Sequence, residues 1–352
     1  MRTLIGMSGG VDSSVAAYLM QQKGYECVGG TMLLYTGNKD GKCCSEDNVR
    51  DAKSVADRMG IDFHVFDLSQ EFDEKVMSDF VGCYLKGLTP NPCVQCNRHL
   101  KFGKFLEQAR KIGCQSIVTG HYAQIAKLEN GRYCLKKAVD EAKDQTYFLY
   151  TMDQEQLSHT HFPLGELTKA EAREIAQEQG FINAKKRDSQ DICFIPDGDY
   201  LAFLEEYTGK KSTPGNFLDK DGKVIGKHKG AAGYTLGQRK GLGIAMGQPV
   251  YVTGKDMAAN TVTIGFNEEL FKKELLANDI NWMAIAAPSE PITCKAKARS
   301  RMIEQPATIY PQEDGSVKVV FDEPQRAITP GQAVVFYQDD LVLGGGTILE
   351  AL

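Results

Sequence analysis

Apolar positions in the first third of the chain alternate between two kinds of stretch. Short continuous runs, "RTLIGM", "ECVGGTMLLY" and "IDFHVFDL", read as strands buried on both faces. Between them lie segments with helical spacing. In "DSSVAAYLMQQKG", Val15, Ala16, Leu19 and Met20 share a face, and Gly24 supplies the stop. In "SEDNVRDAKSVADRMG", Val49, Ala52, Val55, Ala56 and Met59 face inward and Gly60 ends the helix. A helix around "RHLKFGKFLEQARKIG" and a strand "QSIVTGHYAQIA" continue the alternation. Strand–helix alternation of this kind predicts an α/β fold with a parallel, doubly wound sheet.

The period changes after about residue 205. "GKKSTPGNFLDKDGKVIGKHKG" is rich in Gly, Pro and Lys, and short alternating strands follow, as in "NTVTIGF", "TCKAKARSR" and "GQAVVFYQDDLVLGGGTI". The Asp-Gly of "QEDGSV" suits a tight hairpin. The pattern predicts three parts: a catalytic α/β domain over 1–205, a small β-rich module over 206–270 and a C-terminal β-barrel over 275–352.

Composition narrows the class. With 42% hydrophobic and 25% charged residues, the 352-residue chain has material for packed cores. The apolar run at the N-terminus is too short for a signal peptide, and no apolar stretch is long enough to span a membrane. A cytoplasmic setting is therefore expected, where ten cysteines serve as catalytic, metal-binding or buried thiols more readily than as structural disulfides. A net charge of −5 gives no global pull toward nucleic acid, so any RNA contact must come from local patches.

Chemistry enters with "GMSGGVDSS", which follows the first strand and opens the first helix. Gly9 and Gly10 let backbone N–H groups close around phosphate oxygens, and the helix adds the positive end of its dipole. Ser8, Ser13 and Ser14 supply hydroxyls, and no Walker Gly-Lys-Ser/Thr is present. A second stretch, "TPNPCVQCNRHLKF", holds Cys93 and Cys96. That spacing fits half a zinc site, a redox disulfide or a reactive thiol at a helix start.

"SGGVDSS" resembles the loop of the N-type ATP pyrophosphatases, the PP-loop superfamily, whose members cleave ATP between its α and β phosphates and adenylate a substrate oxygen. Together with "TPNPCVQCN", "TGHYAQI", "KDQTYFLY", "KKRDSQDICFIP", "YTLGQRKGLGI" and "FDEPQRAITPGQAVVFY", it resembles the bacterial tRNA-specific 2-thiouridylase family over nearly the whole chain. The resemblance implies an enzyme that replaces the 2-oxo group of the wobble uridine with sulfur, with ATP and Mg²⁺ as cofactors. Its partners would be tRNA and a sulfur donor, either a cysteine desulfurase or a relay protein. It further implies that Cys96 is the nucleophile and Cys193 the persulfide carrier, joined by a transient disulfide although 97 residues separate them. Gly6, Met7, Ser8, Gly9, Gly10, Val11, Asp12, Ser13, Met32 and Gly120 match ATP contacts, with Asp12 the candidate Mg²⁺ ligand. Asn91, Pro92, Cys93, His121, Lys143, Asp144, Gln145, Arg299, Ser300 and Gln332 match positions that meet tRNA or the target base. Cys93 departs from the family, which commonly carries Asp there.

Other readings of the residues stay open. Cys43, Cys44, Cys93 and Cys96 could build a zinc or iron–sulfur site, whereas Cys27, Cys83, Cys114, Cys134 and Cys294 read as buried hydrophobes. Cys96 lies ahead of "NRHLKF", where a helix is expected to begin, and Arg98, His99 and Lys101 are nearby cations that favour thiolate. Lys295, Lys297, Arg299 and Arg301 recur every second residue and would share one strand face, a candidate phosphate track. Lys185–Arg187 and Gln238–Lys240 are further basic patches. The rivals are a PP-loop ligase acting on a small carboxylate or amide, and a non-catalytic RNA-binding protein with structural zinc.

Overall fold

The computed structural model describes residues 1–35, 46–186 and 192–352. Its first layer is built from β1 (Arg2–Gly6), β2 (Glu26–Leu33), β3 (Phe63–Asp67) and β4 (Ser116–Val118). The interior of β1 shows why it sits centrally. Thr3, Leu4 and Ile5 are all inaccessible to solvent, and the Thr3 hydroxyl donates to the Ser116 carbonyl at 3.1 Å. The hairpin β5 (Gln124–Lys127) and β6 (Tyr133–Lys136) leaves this layer, and β7 (Thr160–His161) returns to it. The strand order is β3-β2-β1-β4-β7, all parallel.

That order fixes where a ligand belongs. From β1 the chain moves outward through β2 and β3, then crosses back to place β4 on the other side of β1. The crevice at the carboxyl ends of β1 and β4 is therefore the switch point, where open α/β sheets bind ligands. Helix α1 (Val11–Gln22) starts there and buries Val11, Val15, Ala16, Ala17 and Met20. Helix α2 (Glu46–Met59) buries Ala52, Val55 and Ala56, while Val49 and Met59 are only half-buried, a narrower face than the periodicity predicts.

The central module pairs β8 (Gly215–Leu218), β9 (Val224–His228), β10 (Tyr251–Asp256) and β11 (Thr261–Gly265) in the order β10-β11-β8-β9 around Phe217, Val252 and Val262. The C-terminal strands are β12 (Phe271–Trp282), β13 (Ile292–Lys297), β14 (Gln305–Pro311), β15 (Val317–Arg326), β16 (Ala333–Gln338) and β17 (Leu341–Ala351). They run β12-β15-β14-β13-β16-β17, and β12 pairs again with β17, closing a six-stranded antiparallel barrel. Closure leaves no open edge within the ring.

Barrel and α/β layer share one core, in which Leu4, Val28 and Phe105 join Val334 and Phe336. Polar ties reinforce it. Asn281 Nδ2 donates to the carbonyls of Tyr150 (2.7 Å) and Met152 (2.9 Å), and Arg98 forms a forked ion pair with Asp279.

Three expectations are corrected. "QSIVTGHYAQIA" is two strands in different sheets: β4 is parallel in the first layer, and β5 continues the barrel sheet through β6. The helix expected near "NRHLKF" begins earlier, at Pro92, after Asn91 as N-cap. Pro is suited to that first position because its missing N–H would be unpaired anyway. The cation row does not lie on one strand: β13 ends at Lys297, leaving Arg299 and Arg301 in the following turn.

Candidate active site

The loop between β1 and α1 owes its shape to contacts from three directions. Gly9 has φ +72°, and a Cβ there would lie 2.4 Å from the Asn48 carbonyl oxygen at the start of α2. Only Gly fits that conformation and that approach. Ser13 and Ser14 hydroxyls both donate to the Gly10 carbonyl at 3.1 Å, and the Ser8 amide donates to Ser13 Oγ at 3.2 Å. Asn183 Nδ2 donates to the carbonyls of Gly9 (3.1 Å) and Gly10 (3.2 Å) and to Ser14 Oγ (2.9 Å). Lys186 Nζ donates to Gly9 O (3.2 Å), Asn48 Oδ1 (2.7 Å) and Asp51 Oδ2 (2.8 Å). Lys186, read in sequence as part of a basic patch, is thus turned onto the glycine loop; Arg187 lies outside the described residues.

The loop following β4 closes the crevice. A Cβ on Gly120 would come within 2.7 Å of the Asp12 backbone, so this glycine lets the two loops touch. Asp12 accepts from the Tyr122 hydroxyl at 3.0 Å and from Lys169 Nζ at 2.7 and 2.8 Å. A carboxylate at this helix N-terminus would repel a phosphate, and the ammonium offsets that repulsion. Both Asp12 oxygens being taken by Lys169, Asp12 does not fit the role of a free Mg²⁺ ligand. Among the described residues no group of three or more His, Cys, Asp or Glu is placed to hold a metal ion. Cys43 and Cys44, half of the four-thiolate alternative, lie outside the described residues.

The thiols converge on a neighbouring wall. Cys93 sits in the first turn of the helical run 92–111 and is exposed; Cys96, one turn on, is 8% exposed. It is therefore Cys93, not Cys96, that occupies the helix start. Desolvation pushes the Cys93 thiol pKa up, Lys101 pulls it down and Cys193 pushes it up. Cys96 belongs to an apolar cluster with Leu68, Phe72, Phe80 and Leu100, which also takes in Phe194 and Ile195. The Phe194 ring meets those of Phe80 at 5.3 Å, Phe72 at 5.6 Å and Phe203 at 5.1 Å. Exposed Cys193 therefore rests on two buried plugs, each worth about 1.5–3 kcal/mol of burial. Of the remaining described cysteines, Cys27, Cys114 and Cys134 are buried, and Cys83 and Cys294 are half-buried.

Several tRNA-matched residues hold the site's own loops. His121 Nδ1 lies 2.7 Å from Thr119 Oγ1, with its ring against Phe102 and Phe162. Burial, helped by Lys101, holds its pKa well below the usual value, so the imidazole is neutral. The Asp144 carboxylate accepts from the Ala138 amide (3.0 Å) and Thr146 Oγ1 (2.5 Å), and burial raises its pKa. Gln145 Oε1 accepts from the Tyr122 amide at 2.9 Å, which braces the loop carrying His121; Lys143 stands two residues before it, at the end of a 3₁₀ turn. Gln332 Nε2 donates to the carbonyls of Thr89 (2.9 Å) and Pro90 (3.2 Å), tying the barrel to the turn that presents Asn91, Pro92 and Cys93. Arg299 donates to Leu236 O (3.1 Å) and Thr329 Oγ1 (2.6 Å), joining central module to barrel, with Ser300 half-buried beside it. Lys295 and Arg301 are exposed. Met32, at the end of β2, is half-buried between two core clusters. Sequence reasoning missed Lys169 and Asn183, whose partners lie more than a hundred residues away in the chain and which no local pattern marks, and gave no role to Tyr122 within "TGHYAQI".

Three family models match successive stretches of the chain. Family models described as a tRNA methyl transferase HUP domain, a tRNA methyl transferase PRC-barrel domain and an aminomethyltransferase beta-barrel domain match residues 1–197, 201–266 and 272–348. The tRNA-specific 2-thiouridylase MnmA of Clostridioides difficile is 49% identical over 100% of this chain and 99% of its own length. That of Acetivibrio thermocellus is 50% identical, covering 99% of each. Among solved structures, a 4-thiouridine synthetase–RNA complex with bound ATP aligns loosely, with a TM-score of 0.36 and 16% identity over 58% of this chain and 50% of that one. Identity near one half, sustained from the glycine loop through the thiol helix to the last barrel strand, places the chain in the tRNA-specific 2-thiouridylase family.

Proposed function

We propose that this chain is an ATP-dependent tRNA sulfurtransferase that converts the wobble uridine to 2-thiouridine, with AMP and pyrophosphate as co-products. The observation that carries this reading is the packing of two thiol-bearing segments, the helical run 92–111 and the Cys193 segment, into one cluster of a chain whose glycine loop stands at the sheet's switch point.

The uracil C2 carbonyl is a poor electrophile. Attack of its oxygen on the ATP α-phosphate expels pyrophosphate toward the amides of the glycine loop and turns that oxygen into a leaving group. Lys169, paired with Asp12, keeps the carboxylate from opposing the leaving anion. Cys193 carries the incoming sulfur as a persulfide received from a cysteine desulfurase or relay protein. The Cys96 thiolate attacks Cys193 Sγ, the S–S bond of the persulfide breaks, and hydrosulfide leaves to attack C2 as AMP departs. The two electrons that reduce the sulfur come from the two cysteines, which end as a disulfide; a cellular reductant resets it. In this reading neutral His121 and the Asn91–Cys93 turn meet the target base. The exposed cations Lys295 and Arg301 supply phosphate contacts on the barrel. A cytoplasmic setting suits thiols that must be re-reduced.

Cys193→Ser tests the assignment. The variant should still release pyrophosphate in a tRNA-dependent manner and form no 2-thiouridine. Substantial thiolation by it would exclude Cys193 as carrier. Pyrophosphate release by the wild type without tRNA would favour the small-substrate ligase.

A further inference from the structure

The two cysteines of the thiol helix are presented differently. Asn91 is the N-cap and Pro92 the first helical residue, so Cys93 stands in the first turn, exposed, while Cys96 one turn on is 8% exposed. Cys193 is also exposed, close enough to act on the Cys93 thiol through its charge, and the Phe194 and Ile195 that follow it are buried in the cluster holding Cys96. Three thiols thus gather at one helix start, and the proposed sulfur transfer uses only two of them.

The helix turn itself prepares a pairing between Cys93 and Cys96. Residues three apart on a helix have Cα atoms about 5 Å apart, inside the roughly 4.4–6.8 Å range of disulfides. Their Cβ atoms lie about 5–6 Å apart where a disulfide needs about 4 Å, so the turn must tighten. It is already part of the way there. The Asn91 carbonyl accepts from the Val94 amide at 3.1 Å and from the Gln95 amide at the longer 3.4 Å, and the Asn97 amide is shared between the carbonyls of Cys93 and Val94. Bonds to the third residue are those of a 3₁₀ helix, in which side chains three apart eclipse.

We propose that Cys93 is the resolving thiol of the reaction: once sulfur has been transferred, it attacks Cys96 Sγ of the Cys96–Cys193 disulfide and releases Cys193. This rests on the reading of Cys193 as the sulfur carrier and Cys96 as its partner. One S–S bond forms as one breaks, and the Cys93 proton is passed to the departing Cys193 thiolate, so the exchange itself needs no oxidant or reductant. Cys193 is then ready for the next sulfur. The oxidation now sits on Cys93–Cys96, with its outer sulfur at the surface, where an external dithiol reduces it. Desolvation, which raises the Cys93 pKa, keeps this thiol a slow nucleophile and lets sulfur transfer finish first. An aspartate at position 93 could not enter the exchange.

The test loads the full chain with persulfide, removes all thiols, and starts a single turnover with ATP and tRNA. The reaction is quenched in acid, alkylated and mapped under non-reducing conditions by mass spectrometry. Wild type should end with a Cys93–Cys96 disulfide and an alkylated Cys193, one per 2-thiouridine formed. Cys93→Ala and Cys93→Asp should end with Cys96–Cys193. Supplied with dithiol and a persulfide source, both variants should show a ratio of steady-state to single-turnover rate about tenfold below wild type, the cost of replacing a neighbouring thiol with one from solution. A wild-type product holding Cys96–Cys193 or Cys93–Cys193 overturns the proposal, as does an unchanged rate ratio in the variants. Thiolation that leaves Cys96–Cys193 in the wild type sinks the resolving role alone. Failure to form any 2-thiouridine, or stoichiometric iron or zinc on the three thiols of the isolated chain, sinks the functional reading with it.

Discussion

Replacing either glycine of the Gly9-Gly10 pair with alanine adds the same methyl group one residue apart, yet the structure predicts a destabilising effect at Gly9 and a neutral or stabilising one at Gly10. Gly9 has φ +72°, and its added Cβ would lie 2.4 Å from the Asn48 carbonyl oxygen and 3.0 Å from two further backbone atoms of that residue. The left-handed conformation costs about 1–2 kcal/mol for an L-residue. Backbone atoms cannot rotate aside as a side chain can, so α2 must shift, at about 1–3 kcal/mol. The sum, about 2–5 kcal/mol, corresponds to a loss of about 4–20 °C in thermal midpoint for a domain of this size. Gly10 has φ −93° and ψ 164°, which alanine adopts freely, and its Cβ would meet only Ser8 Oγ, at 3.4 Å. Gly10→Ala should then be neutral or stabilise by up to about 1 kcal/mol by restricting the unfolded chain. The assay is a thermal melt of both variants without nucleotide, followed by circular dichroism at identical protein concentration. Equal shifts of the same sign would refute the claim that α2 is packed against Gly9 and that the loop is preshaped by that contact.

Three further outcomes are expected. Arg301→Ala should lower the slope of log tRNA affinity against log salt by about 0.7–0.9 per lost phosphate contact, while Arg299→Ala should leave the slope alone and loosen the central module from the barrel, seen as faster proteolysis between them. Burial lowers the pKa of His99, His121, His161 and His228 from an ordinary 6.5, so the folded chain resists protons that the unfolded chain accepts. Their neutral forms cost nothing above about pH 6.5, and stability falls as pH drops below it; His121→Asn should flatten the fall in thermal midpoint between pH 7.5 and 5.5. Cys96→Ala should abolish single-turnover thiolation, whereas Cys93→Ala should keep a measurable fraction and Cys93→Asp should be tolerated; equal loss in Cys93→Ala and Cys96→Ala would make the motif a two-cysteine site.

The parallel sheet was legible because each of its helices and central strands is a continuous local pattern: Leu4 and Ile5 in a fully apolar run, Val15, Ala16 and Met20 at helical spacing. "SIVTGHYAQIA" misleads because apolar alternation runs on through a loop, although Val118 pairs in one sheet and Gln124 in another. The helix start was displaced because the expectation was taken from "NRHLKF", whereas Pro92 already occupies the first helical position after Asn91. The glycine loop and the cysteines stood out as motifs. What supports them did not, because Lys169, Asn183 and Gln332 act on partners 157, 174 and 243 residues away, and such pairings exist only once the chain is folded.

The decisive measurement follows the chemistry of one base. Unmodified substrate tRNA should be incubated with the chain, ATP and a persulfide source, then digested to nucleosides and analysed by mass spectrometry at the wobble position. 2-Thiouridine should appear there, formed only when ATP is present and accompanied by equimolar AMP. Wobble uridine that stays unchanged while ATP is consumed, or sulfur that enters without ATP, would contradict the proposed function.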